Sequence, residues 1–163
     1  MSTFAPKTYQ QQVLDSVEAY FKACHELPSP SIAFTATTER LWGRGNAYNP
    51  LSGFPPDMPY FCLRVPTGGG KSYLFSLIAG GGVVKGFRWL VYVHRDELLD
   101  QAVEGFKAIG LNPGVIAAGY PRTESLLQVC SIPTVLARGE MPPADGVVFD
   151  ECHHVAGAEK WSA

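Results

Sequence analysis

Between Thr8 and Leu27 apolar residues return at every fourth position: Tyr9, Val13, Val17 and Phe21, with Leu14 and Tyr20 beside them. That period lines one face of a helix, so the pattern predicts a helix over 8–27. Thr8 followed by Gln11 fits a capping box, and Pro28 ends the pattern. From Pro28 to Pro59 the periodicity is lost. Pro28, Pro30, Pro50, Pro55 and Pro56 interrupt the segment together with Gly43, Gly45 and Gly53. The expectation is a long irregular loop, of a kind that is commonly functional or disordered. Its Trp42, Arg44, Tyr48 and Phe54 could stack on nucleic acid, or the rings could pin the loop onto the domain.

Beyond Pro59 apolar runs alternate with amphipathic ones. Tyr60–Val65 predicts a strand, Ser72–Ala79 an apolar helix, Arg88–His94 a second strand and Asp96–Ile109 a helix stopped by Gly110. Val115–Ala118 and Leu127–Cys130 predict further strands, Pro133–Arg138 a brief helix, and Gly146–Phe149 a last strand. Strands alternating with helices predict an α/β fold, a parallel sheet with helices on both faces.

Composition adds bounds. With 163 residues, 46% hydrophobic and 17% charged, the chain can fold around a sizeable core. A net charge of −2 excludes a global basic field, so any nucleic-acid contact rests on a local groove. Cys24, Cys62, Cys130 and Cys152 have no paired spacing, and Cys62 and Cys130 fall in expected strands. They read as reduced core cysteines of a cytoplasmic protein. Three adjacent residues such as Cys152-His153-His154 seldom converge on one metal ion. Neither a membrane span nor a signal pattern is apparent.

The chemistry concentrates in two places. Pro66-Thr67-Gly68-Gly69-Gly70-Lys71-Ser72 lies between an expected strand and an expected helix. Consecutive glycines let the backbone curl so that N–H groups face phosphate oxygens, and the helix N-terminus favours an anion. Lys71 supplies a cation for the outer phosphates of a nucleotide triphosphate, and Ser72 a hydroxyl for Mg²⁺. Downstream, Gly146–Phe149 delivers Asp150 and Glu151 to the carboxyl end of a strand, where open α/β sheets bind ligands. Asp150 suits Mg²⁺, and Glu151 suits a water that attacks the γ-phosphate.

Together these residues resemble the first RecA-like lobe of a superfamily 2 helicase, of the DEAD/DEAH-box and restriction-subunit-like branch. Pro66–Ser72 resembles motif I, with Val65 where the family has Ala, and Asp150-Glu151-Cys152-His153 resembles motif II. Val93–Gln101 resembles motif Ia, and Gln128–Arg138 a later motif with a Ser-x-x-Thr core. The resemblance implies ATP and Mg²⁺ as cofactors, with Thr67, Gly68, Gly69, Gly70, Lys71 and Ser72 around the phosphates and Ser72 and Asp150 at the metal. Lys71 and Glu151 become the catalytic residues. Tyr9-Gln10 resembles the adenine-reading element, although Gln10 could be a plain surface glutamine. His94, Arg95, Thr134 and Arg138 become contacts to a nucleic-acid backbone, DNA being favoured over RNA. His94, Arg95 and Thr134 could equally cap strand or helix ends.

The domain reading is then 1–27 as adenine-reading helix, 28–59 as insertion and 60–163 as a partial P-loop NTPase core. In the family's fold, the strand ending in motif III lies between the strands of motifs I and II and follows motif II in sequence. Only Cys152–Ala163 follow the acids here, so the expectation is a fragment of a longer motor, poorly stable and inactive alone. The activity expected of the whole is an ATP-dependent helicase or translocase, completed by a second RecA-like lobe with an arginine finger. The other readings are a nucleotide-responsive nucleic-acid-binding module without turnover, and a P-loop ATPase acting on proteins.

Overall fold

The computed structural model describes residues 5–49, 54–66, 68–139 and 142–150. The chain divides into two compact units, one of them Ala5–Val65 and the other running from Pro66 onward.

In the first unit α1 (Thr8–Glu26) packs on α2 (Pro30–Trp42). The helix expected over 8–27 is present, but its cap is shifted by one residue. Lys7 is the N-cap, and its N–H donates to Gln10 Oε1 at 2.9 Å. Gln11, expected to close the box with Thr8, instead donates from Nε2 to Asp15 Oδ1 at 2.7 Å. Burial decides the frame: Gln10, Val17 and Tyr20 are buried, whereas Tyr9 is 41% exposed. The buried face of α1 therefore includes Gln10 rather than Tyr9.

The segment expected to be irregular contains α2. Its Pro30 begins a helix instead of breaking one, because the first helical residue needs no N–H. Ser29 Oγ caps it by accepting from the Ile32 N–H at 3.3 Å, and Gly43 ends it at φ +69°. The chain then folds back, with the Asn46 N–H donating to Thr38 Oγ1 at 2.8 Å. Tyr48 packs on Phe34 and Tyr60 at ring distances of 5.6 and 4.7 Å, and Phe54 on Tyr60 at 6.0 Å. These two rings anchor the loop, as one of the two sequence readings had it. Trp42 is 59% exposed.

Tyr60–Val65, expected as a strand, is not one. A strand exists only by pairing, and no described strand pairs with this segment. Cys62 is accordingly exposed rather than part of a sheet core.

The second unit is built on four parallel strands, β1 (Trp89–Val93), β2 (Gly114–Ile116), β3 (Leu127–Ser131) and β4 (Gly146–Phe149), in the order β2-β3-β1-β4. Alternate side chains of each strand face opposite ways. On one face Val91, Val93, Leu127 and Val129 pack with Phe75 and Ala79 of α3 (Lys71–Val84) and Leu99, Ala102 and Phe106 of α4 (Asp96–Ala108). On the other, Leu90, Tyr92 and Cys130 pack with Ile132 and Val135 of α5 (Ile132–Arg138). This is the α/β fold expected, with helices on both faces.

Two details fix the geometry. The connection from β2 to β3 contains no helix. It is pinned by the buried Gln128, whose Nε2 donates to the carbonyls of Thr123 at 2.7 Å and Ser125 at 3.2 Å. The indole of Trp89, at the start of β1, occupies a slot between two glycines. A Cβ on Gly82 of α3 would overlap the indole Nε1, and one on Gly146 of β4 would lie 2.6 Å from the ring.

Gly146→Ala is expected to destabilise the fold by about 1–3 kcal/mol through overpacking, and Trp89→Phe in the same chain to recover part of the loss. Paired thermal melts check this; additive losses would place the clash elsewhere.

Burial pushes the Cys130 thiol up to about 12 from 9.0. Burial, then the neighbouring Cys130, pushes the Tyr92 phenol up to about 12 from 10.0. Raised folded-state values mean that both groups stabilise the fold fully below their unfolded values. That stability is lost as pH rises from about 9 toward 12. The melting temperature is expected to fall across this window, and Cys130→Ala to soften the fall.

Candidate nucleotide and nucleic-acid site

The glycine loop gets its shape from two backbone positions that side chains disfavour. The Gly69 N–H closes a turn on the Pro66 carbonyl at 2.9 Å, with Gly68 at φ +77° in the left-handed region that favours glycine. Gly70, at φ +77° and ψ +41°, is the N-cap of α3 and carries no side chain to cap it. A Cβ on Gly68 would meet nothing within 4 Å, so the loop faces open space there. Lys71 and Ser72 follow as the first two helical residues, half-buried and exposed respectively. No acidic residue occupies the first turn of α3. The loop thus has the parts a phosphate group needs: glycines that allow close approach, a helix N-terminus, a lysine and a hydroxyl.

The direction of α3 decides where this loop lies. Its C-terminal Gly82 abuts Trp89 at the start of β1, and Phe75 packs on Phe106 at a ring distance of 6.0 Å. The helix therefore runs antiparallel to the strands. Its 14 residues span about 21 Å, enough to carry Lys71 to the edge where the strands end.

Asp150 lies at that same edge. Its N–H donates to the Tyr92 carbonyl at 3.1 Å, extending the β4 ladder by one residue along β1. His94 and Arg95 follow β1 and are exposed, Arg95 being the N-cap of α4 without a side-chain cap bond. Thr134 lies in the first turn of α5, whose N-cap is Ser131, so Thr134 is not the cap. Arg138, in the last turn of α5, donates from Nη2 to the Ala117 carbonyl at 3.4 Å.

The second unit thus brings Gly68, Gly69, Gly70, Lys71, Ser72, Asp150, His94, Arg95, Thr134 and Arg138 to one edge of one sheet. Tyr9 and Gln10 belong to the first unit, where Gln10 Oε1 is engaged by the Lys7 N–H. Thr67, Glu151, Cys152, His153 and His154 lie outside the described residues. Gln128, within the motif expected to contact nucleic acid, is instead buried beneath the β2–β3 connection. Nothing in the sequence reading singled out that connection, although Gly119-Tyr120-Pro121-Arg122 is a turn signal next to an aromatic and a cation.

A parallel sheet whose edge receives a glycine loop, a helix N-terminus and an acidic strand end is a P-loop NTPase lobe of the RecA-like kind. The chain belongs to the family described as Type III restriction enzyme, res subunit (ResIII), which it matches over residues 3–163. Membership makes it an ATP-binding, helicase-like lobe of a family of ATPase and helicase type, which interacts with nucleic acid. No curated protein matches the chain closely. No helix among the described residues is long and apolar enough to cross a membrane.

Lys71→Ala is expected to weaken ATP binding at least about tenfold while leaving the melting temperature unchanged, because Lys71 stands at the loop and outside both core clusters. Titration with a fluorescent ATP analogue checks this; equal affinity in mutant and parent would remove the phosphate assignment.

Proposed function

We propose that this chain is the first motor lobe of an ATP-dependent nucleic-acid helicase or translocase, hydrolysing ATP with Mg²⁺ once a second RecA-like lobe completes the site. The observation that carries the proposal is the shared sheet edge, with the glycine loop, Asp150 and the exposed His94 and Arg95 on one side of the second unit. Residues 1–27 read adenine, through Gln10 with Tyr9 beside it. Residues 28–59 are an insertion, and 60–163 form the NTPase core. Thr67 to Ser72 hold the phosphates, with the Lys71 ammonium on the outer ones. Ser72 and Asp150 hold Mg²⁺, which when bound supplies positive charge against the phosphate oxygens. Glu151 orients the attacking water and takes its proton. The nucleic acid, preferentially DNA, is held by its backbone at His94, Arg95, Thr134 and Arg138, and the protein works in the cytoplasm.

One alternative keeps the same residues and removes turnover: a module that grips ATP and nucleic acid without hydrolysis. Phosphate release with and without single-stranded DNA separates the two, measured on the chain alone and joined to a second RecA-like lobe.

Glu151→Gln is expected to leave ATP binding intact and to lower turnover in the two-lobe protein by orders of magnitude. Loss of binding instead would make Glu151 a structural residue. Nucleic-acid binding is expected to be sequence-tolerant with a shallow salt dependence, since few phosphates are neutralised by so few cations. A steep slope, or strong preference for one base sequence, would contradict the proposed contacts.

A further inference from the structure

The β2–β3 connection carries an aromatic ring that packs in no described cluster. Tyr120 is 45% exposed and makes no ring contact among the described residues. It is nevertheless held in place. Gly119, at φ +82°, sits at the third position of a turn closed by the Tyr120 N–H on the Ala117 carbonyl at 3.3 Å. The Tyr120 hydroxyl reaches Asp100 Oδ1 of α4 at 3.5 Å. The far end of the connection is tied down by Gln128. A second group converges on the same carbonyl: Arg138 Nη2 donates to Ala117 O at 3.4 Å. One carbonyl at the carboxyl end of β2 thus anchors the backbone beside the exposed Tyr120 ring and also accepts from the exposed Arg138 guanidinium of α5.

Resting on the nucleic-acid reading above, we infer that Tyr120 and Arg138 form a contact for single-stranded nucleic acid, Tyr120 stacking on a base and Arg138 pairing with an adjacent phosphate. The chemistry on each side fits. Every base offers a π-face, so an exposed, pre-oriented ring binds single strands without choosing sequence. Tyrosine loses little freedom on binding when its hydroxyl is already tethered. A guanidinium presents several donors at once, so Arg138 can keep the Ala117 carbonyl and still meet a phosphate oxygen. Asp100 of α4 is engaged by Tyr120 itself, and Glu124 follows Tyr120 in the same connection as Glu140 follows Arg138 in sequence. The contact lies beyond β2, the outermost strand on the side away from β4. It extends the track expected along His94, Arg95 and Thr134 and adds base stacking to what would otherwise be backbone contacts alone.

The test is fluorescence anisotropy of the chain with a labelled oligothymidylate and with a strand of equal length made of abasic sites. Tyr120→Ala is expected to weaken oligothymidylate binding by about 5–100-fold, to leave abasic-strand binding unchanged and to leave the salt slope unchanged. Tyr120→Phe keeps the ring and is expected to stay within about threefold of the parent. Arg138→Ala is expected to weaken both strands and to lower the salt slope by about 0.7. If Tyr120→Ala shifts the thermal melt, Tyr120→Trp carries the test, and it is expected to bind oligothymidylate at least as tightly as the parent. Parental binding that Tyr120→Ala leaves intact would overturn this contact while the nucleic-acid reading stands. Equal losses on both strands would make Tyr120 a structural residue, overturning the stack. A parent chain that binds neither strand would overturn the nucleic-acid reading and this contact with it.

Discussion

β1 is hydrogen-bonded along both of its sides, to β3 from Trp89↔Leu127 through Val93↔Ser131 and to β4 from Trp89↔Gly146 through Tyr92↔Phe149. Because both pairings are parallel and begin at Trp89, the three strands start level and finish level. Everything chemically notable in the second unit follows from that common finish. Asp150, His94–Arg95 and the first turn of α5 come from distant parts of the sequence, and the ladder sets them side by side. A register slip of one residue would turn Val91 and Val93 to the wrong face and move Asp150 away from β1. The buried apolar pairs on both faces make such a slip costly.

The site that results depends on local fields rather than on overall charge. With a net charge of −2, the molecule offers no long-range attraction to polyanions. In the proposed function the attraction for phosphate comes from the end of α3, where aligned peptide dipoles and glycine backbone meet a lysine. Positive φ at Gly68 and Gly70 is the backbone cost of that geometry, and only glycine bears it without strain. Of the nucleic-acid candidates, His94, Arg95 and Arg138 are exposed groups at loop and helix ends, Arg95 at a cap position and Arg138 held by the Ala117 carbonyl, while Thr134 is half-buried.

Much of the second unit was legible in the sequence because its signals are local. Gly146–Phe149 was expected with the bounds it has, and the other strands within a few residues, since apolar runs bounded by turn residues leave little choice. The glycine loop was legible for the same reason. The misses share a different cause. Tyr60–Val65 has the composition of a strand, but strand formation is settled by a partner elsewhere in the chain. Pro30 looked like a breaker until Ser29 and Gly43 showed it to be a start, and the cap of α1 moved by one residue, to Lys7 and Gln10, with Gln10 buried in place of Tyr9. Tyr120 escaped notice because its position depends on a turn at Ala117 and on Asp100 of a distant helix, which no pattern around Tyr120 announces.

The glycine slot around Trp89 has a mechanical meaning. α3 carries the glycine loop at one end and is gripped by the indole at the other, where Gly82 lies flush against the ring. A helix is stiff along its axis, and this one cannot slide past β1 without driving a backbone atom into the indole. Displacement at the glycine loop is therefore converted into a tilt about a pivot at Gly82 rather than a piston stroke. The lever arm is about 18 Å from Gly82 back to Gly70, so a tilt of a few degrees moves the loop by roughly 1 Å while the far end stays still.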